Sequence, residues 1–396
     1  MFDLVLSNVR VDKAITDVGI SNGRIAAIAP RLDRTGAAVE GCDHALLLPG
    51  LVEAHTHLDK TLLGMDWVEN RLGPEIREKI DNERQMKRVV GLDAARQSAR
   101  QVVMSIAKGS TAIRSHVDID TENGLADFEG VSATRSRYSD VIDIDIVAFP
   151  QSGLVSRKGT AELMNEALRQ GADVVGGLDP CSIDHDPKGH LDLVFDLAVK
   201  HAKPIDIHLH EPGELGMFSF RMILERTRAH GLSGKVTVSH AFSLGANDYL
   251  GISRLLDEIA AAGVALMSTG PSMVPVPPLI RALDAGITVC SGTDGMRDLW
   301  APFGNADMLE RAQILSQRNN LSQDIEIERA VDVCTYGGAK VMGLADYGLT
   351  VGAFADLVVV AGRNVTEAVV TLPPRKLVLK RGRVVARDGK ALVEAP

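Results

Sequence analysis

Basic residues are in the minority: 43 Lys and Arg against 52 Asp and Glu leave a formal net charge of −9. A protein that grips nucleic acid through its phosphates needs a basic face, so this balance excludes such a partner from the expectations. Cysteine is scarce, and the four residues Cys42, Cys181, Cys290 and Cys334 lie far apart and form no CxxC pair. A chain of 396 residues without a cysteine framework reads as a reduced, cytoplasmic protein. No apolar run approaches the ~18 residues of a membrane span, so a soluble protein without a membrane partner is expected. The opening MFDLVLSNVRVDKA alternates apolar and polar positions and lacks a basic stretch ahead of a long apolar one. It reads as a strand rather than a signal peptide.

What is present is a large apolar fraction, 45%, and 37 glycines, enough for a sizeable core with many tight connections. Short strand-like segments occupy residues 2–48, with Asn22-Gly23 between two apolar runs as a hairpin signal. Strands of the same style return near the other end, split at Arg381-Gly382 and Asp388-Gly389. One small β-sandwich domain built from both termini is expected, from residues 1–50 and 344–396. Between them, eight strand-like segments (LVEAHTH, TAIRSHVDI, DIDIVAFPQ, ADVVGGLDP, PIDIHLHE, KVTVSHAF, VALMST, ITVCSGTD) alternate with amphipathic helical stretches. Eight such units predict an α/β fold, a (β/α)8 TIM-type barrel over residues 51–343.

Residues with metal-ligand chemistry recur at the ends of these strands, the end that forms the active-site face of a barrel. The first strand ends His55-Thr56-His57, and alternation along a strand points both imidazoles to the same side. The fifth ends Ile207-His208-Leu209-His210-Glu211, the sixth Ser239-His240 and the eighth Ser291-Gly292-Thr293-Asp294. A His3Asp set of this kind suits Zn²⁺, Fe²⁺ or Mn²⁺. Each histidine alone is more simply a core or surface residue, and His44, His116, His185, His190, His201 and His230 keep that reading. Delivery of such groups by four strand ends outweighs it for the others.

The segments PGLVEAHTHLDKT, DIHLHE, VSHAFSLG and SGTDGMRDLWAPFGNADML resemble the amidohydrolase superfamily, specifically its cytosine deaminase branch. The resemblance spans essentially the whole chain. It implies one divalent ion, zinc or iron with manganese an alternative, on His55, His57, His208 and Asp294. Relatives with two metals carry a bridging lysine or glutamate at the third or fourth strand end, whereas here the fourth ends Gly177-Leu178-Asp179. It also implies a homo-oligomer and a small heterocyclic substrate that loses ammonia. Such an ion lowers the pKa of its bound water. Asp294 and His240 would handle that water's proton, and Glu211 would deliver a proton to the ring nitrogen. Gln151 would read the ring edge, since its amide offers both a donor and an acceptor.

Lys60, Asp179 and Trp300 are further candidates for substrate contact, each with a simpler role as ion-pair partner, turn cap or loop packing. Cytosine deaminases of this branch often carry a second acidic residue after the metal aspartate, but Gly295 stands here. Its missing side chain is expected to leave room beside the ring, favouring 5-substituted cytosines, isocytosine or an aminotriazine over cytosine. The same machinery also suits a cyclic amide or an N-alkylamino triazine. A non-enzymatic scaffold fits poorly, because the full ligand set is kept. Ring choice is assigned to loops 61–75 and 271–280.

Overall fold

A computed structural model of the chain describes residues 1–246, 248–272 and 274–396; Met273, in one of the loops assigned to ring choice, lies outside them. The N-terminal strands are β1 (Leu4–Val11), β2 (Ala14–Ser21), β3 (Arg24–Ala29), β4 (Ala38–Gly41) and β5 (Leu46–Pro49). Eight more follow: β6 (Leu51–Thr56), β7 (Ser110–Asp118), β8 (Asp143–Phe149), β9 (Val174–Leu178), β10 (Ile205–His208), β11 (Val236–Ser239), β12 (Ala265–Met267) and β13 (Val289–Cys290). The chain ends with β14 (Leu357–Val360), β15 (Arg375–Lys380), β16 (Arg383–Arg387) and β17 (Lys390–Ala391).

The strands of both termini join in one mixed nine-stranded sheet, with β5 antiparallel to β14 as the splice between the two ends of the chain. Alternation gives this sheet two buried faces. Leu357 and Val359 of β14 enter the small domain's own core with Leu6, Ile20 and Leu47, while Val358 and Val360 join the barrel core. Asn22 and Gly23 both take positive φ, as the two-residue hairpin signal requires.

Strands β6 to β13 pair in chain order, each parallel to the next. The ring closes where β13 meets β6. Ala54 N–H donates to Ser291 O at 3.1 Å and Asp294 N–H to His55 O at 2.9 Å, and Thr56 and Asp294 form a parallel bridge. This is the expected (β/α)8 barrel. Four of the helices between the strands run Ala94–Ala107, Thr160–Arg169, Pro187–His201 and Tyr249–Ala262. Three of them start at an aspartate, Asp93, Asp186 or Asp248, whose side chain accepts a first-turn N–H.

One helix, Ile76–Val89, carries no apolar stripe and buries only Ile80 and Glu83. It packs Ile80 against Phe149 and Leu178 at the strand ends and so roofs one side of the barrel mouth. No helix among the described residues is long and apolar enough to cross a membrane.

The closing seam is tight. Glu53 Oε1 accepts Thr293 N–H at 2.8 Å and His55 N–H at 3.4 Å. Burial pushes the Glu53 carboxyl up to about 7 against the hydrogen bonds from Thr293. A Cβ on Gly292 would collide with the His55 carbonyl and the Glu53 carboxyl. Gly292→Ala is therefore expected to destabilise the protein by at least the ~1–3 kcal/mol typical of overpacking. Calorimetry checks this, and a Tm equal to wild type would show that the seam accepts a methyl group.

Candidate active site

The mouth of the barrel holds a cavity of about 620 Å³, within the usual range for small-molecule sites. At its floor the strand ends converge. One ligand atom each from His55, His208, His240 and Asp294 lies within 4.8 Å of the other three. His57 joins them through its Nε2, 3.1 Å from Asp294 Oδ1, and His55 Nε2 stands 3.6 Å from the same oxygen. The histidines are buried, while the Asp294 side chain keeps 38% exposure toward the cavity. His240 and Asp294 both adopt positive φ, a conformation that Asp and His enter more readily than most residues.

The electrostatics suit cation binding. Burial, reinforced by Lys60, brings His57 down to about 4. Burial and the neighbouring imidazoles hold His208 and His240 well below the usual histidine range. Burial opposes ionisation of Asp294, but His240, His55 and His57 outweigh it and hold the carboxyl well below its usual range. The floor thus sets His57, His208 and His240, as neutral imidazoles, around one carboxylate.

His55 Nε2, His57 Nδ1, His240 Nε2 and both ring nitrogens of His208 are buried without a hydrogen-bond partner. The unpartnered Nε2 atoms of His55 and His240 beside one carboxylate, with His208 unpartnered in the same cluster, fit a divalent ion.

The tautomer of His55 follows from what lies behind it. Asp206 is held ionised, His116 countering the effect of burial. Ser239 Oγ donates to Asp206 Oδ1 at 2.6 Å and therefore accepts from His55 Nδ1 at 3.2 Å. The His55 proton is on Nδ1, and the Nε2 lone pair faces the cluster.

The walls carry the remaining sequence candidates. Lys60 Nζ donates to Gln151 Oε1 at 2.7 Å, to Asp118 at 3.0 Å and to Glu83 at 3.1 Å. Gln151 Nε2 in turn donates to Glu83 at 2.9 Å. Both ends of the Gln151 amide, expected to read the ring edge, are committed to this network. Trp300 lines the cavity, with Lys79 over its ring at 5.6 Å. Asp179 stands behind the cavity, its Oδ2 2.7 Å from His210 Nδ1.

Glu211 is turned away. Its Oε1 accepts Cys181 N–H, Ser182 N–H and Ser182 Oγ–H at 2.8–2.9 Å, its Oε2 accepts Ser219 Oγ–H at 2.5 Å, and it does not line the cavity. The side chain that faces the cavity beside His208 at this strand end is His210, stacked on His240 at a centroid distance of 4.4 Å. Burial would lower His210, but Asp179 outweighs it and raises the imidazole above its usual range. The alternation that selects His55 with His57 also selects His208 with His210, so the sequence did carry this signal.

Glu83 carried none. Burial pushes it up to about 8 despite Lys60 and Lys87, and only the fold brings it behind the wall, against Lys60 and Gln151.

Nor is there free room beside Gly295. A Cβ there would collide with Asp298 Oδ2, so the space expected for a ring substituent holds a carboxyl group.

Ser239→Ala removes the group that orients His55. Zinc affinity, measured by competition with a chelator, should fall ~10–100-fold, as for other outer-shell partners of metal ligands. Unchanged affinity would mean that the Asp206–Ser239 pair does not position His55.

A family model described as "Amidohydrolase family" matches residues 83–393. The chain is 31% identical over 98% of its length to N-isopropylammelide isopropyl amidohydrolase of Pseudomonas sp. (strain ADP), covering 98% of that protein. Among solved structures, N-isopropylammelide isopropylaminohydrolase from Burkholderia multivorans ATCC 17616 is similar at 44% identity and a TM-score of 0.96, over 99% of this chain and 100% of that one. The 5-methylcytosine deaminase of Klebsiella pneumoniae, liganded with 5-fluorocytosine, follows at 27% identity and 0.85, over 99% and 98%. The family match over most of the chain and the full-length Pseudomonas relative show that the chain belongs to the amidohydrolase family, as a hydrolase of carbon–nitrogen bonds.

Proposed function

We propose that the chain hydrolyses the exocyclic C–N bond of an N-alkylamino hydroxytriazine of the N-isopropylammelide kind, releasing an alkylamine. The observation that carries this reading is the wall above the cluster. Ile76, Phe149, Leu178, Val274, Trp300 and Phe303 line the same cavity as His57, His208 and Asp294. A bare amino group needs no such apolar surface, whereas an isopropyl group gains from burial in it. The two N-isopropylammelide hydrolases among the relatives agree with it.

His55, His57, His208 and Asp294 would hold one divalent ion, zinc or iron, with His240 beside it. Bound there, it would supply an acidified water as nucleophile near neutral pH. Asp294, ionised, and His240, neutral with Nε2 3.9 Å from Asp294 Oδ2, are the two groups that take the water's proton. The leaving amine needs a proton, and His210 faces the cavity with its protonated form favoured by Asp179. Lys60, fixed by three acceptors, presents positive charge to the ring oxygens.

The deaminase reading retains support from the 5-methylcytosine deaminase fold, and one experiment separates the two. Metal-loaded protein is offered N-isopropylammelide, cytosine, 5-methylcytosine and isocytosine, with isopropylamine and ammonia quantified separately. The expected result is isopropylamine release at a kcat/KM more than ~10-fold above any ammonia release, a difference of about 1.4 kcal/mol in transition-state stabilisation. Ammonia release from a pyrimidine at the higher rate would replace this reading with deamination.

Asp179→Asn tests the proton donor. It removes the charge that raises His210, so the imidazole loses its proton at lower pH. The alkaline limb of the kcat profile should move to lower pH, and an unmoved limb would assign the proton to another group.

A further inference from the structure

Asp298 belongs to none of the roles assigned so far. It is 6% exposed and lines the cavity with His57, Lys60 and Asp294. Its two oxygens differ. Oδ1 accepts the backbone N–H groups of Trp300 at 2.8 Å and Ala301 at 2.9 Å, which holds the turn that presents Trp300. Oδ2 makes no hydrogen bond among the described residues. No lysine or arginine among them pairs with this carboxyl, because the nearby Lys60 is spent on Glu83, Asp118 and Gln151. Oδ2 projects into the space over Gly295, next to Asp294, where any side chain at 295 would strike it. The absent side chain at 295 therefore makes way for a carboxyl oxygen supplied from three residues further on. A carboxyl oxygen left open to a ligand cavity, with its twin already held by two amides, is a place for a ligand donor.

We propose that Asp298 is a specificity-determining substrate contact whose Oδ2 accepts a hydrogen bond from an N–H of the azine substrate, on the ring or on its exocyclic amine. The assignment rests on the ring-amine reading above and adds which edge of the ring is read. The polar reader of that edge is Asp298, in place of the Gln151 amide, whose two ends are held by Lys60 and Glu83. Ring substrates that present only acceptors there meet a carboxyl oxygen and are rejected.

Asp298→Asn separates this role from loop capping. Asparagine keeps an acceptor for the Trp300 and Ala301 amides and turns the other oxygen into a donor. The probes are N-isopropylammelide and its derivatives methylated singly at the exocyclic nitrogen or at a ring nitrogen. Binding to metal-loaded protein is measured by calorimetry under conditions slow for turnover, alongside Tm and metal content.

The wild type should lose about 10- to 100-fold in affinity for one methylated derivative, the loss of one hydrogen bond to a charged group. D298N, with wild-type Tm and metal content, should bind the parent ring weaker by a similar factor and show no further loss on that methylation. Gly295→Ala, which displaces Oδ2, should lose the same discrimination. Parent affinity in D298N equal to wild type, or equal methylation penalties in both proteins, would overturn the assignment while leaving the ring-amine reading intact. A wild type that binds none of these rings would overturn that reading and this assignment together.

Discussion

The site depends on how the barrel closes. Asp294 reaches the cluster because its own N–H donates to the His55 carbonyl at the seam between β6 and β13. The Thr56 hydroxyl donates to the Asp294 carbonyl at 2.9 Å, fastening the same seam a second time. The last strand of the barrel and the first thus meet through the backbones of two candidate ligands. A displacement of either strand would move a carboxylate relative to two imidazoles, and metal sites tolerate only a few tenths of an ångström. Gly292 and Glu53 belong to the same constraint, one by leaving space and the other by bridging Thr293 and His55.

A second constraint holds the mouth. Lys87 reaches Asp118 at 2.8 Å, Asp127 at 3.1 Å and Asp59 at 3.4 Å, and Lys60 reaches Glu83 and Asp118. Glu83 and Lys87 belong to the helix Ile76–Val89, while Asp59, Lys60, Asp118 and Gln151 follow or end strands β6, β7 and β8. The roof over the cavity is fastened by buried charge rather than by an apolar stripe. Such networks are costly to desolvate and costly to break, so they hold geometry more than they add stability. Here the geometry includes the position of Lys60 at the cavity wall.

Much of this was legible in residue order. Period-two patterns, Gly turns and helix caps are local, and the strand-end motifs mark the functional face because a barrel sends all its strand ends to one side. The helix Ile76–Val89 was not legible, since IREKIDNERQMKRV offers no stripe and its buried glutamate looks like any surface charge. The orientation of Glu211 was not legible either. Whether its carboxyl faces the ring or the Cys181–Ser182 amides depends on a neighbouring strand end about thirty positions back in the chain.

Sequence alone determined the barrel, the strand ends that carry histidine and aspartate, and the splice of the two termini, because each follows from local periodicity and from the identity of a few residues. Tertiary structure decided which side chains at those ends turn inward. His210 faces the cavity because Asp179 of the neighbouring strand end holds it there, and Glu211 does not because the Cys181 and Ser182 amides and the Ser219 hydroxyl claim it. The same holds for Gly295. From the sequence it reads as empty space, but in the folded protein the turn capped by Asp298 puts a carboxyl group there. Contacts between residues distant in sequence set such orientations, and no local pattern encodes them.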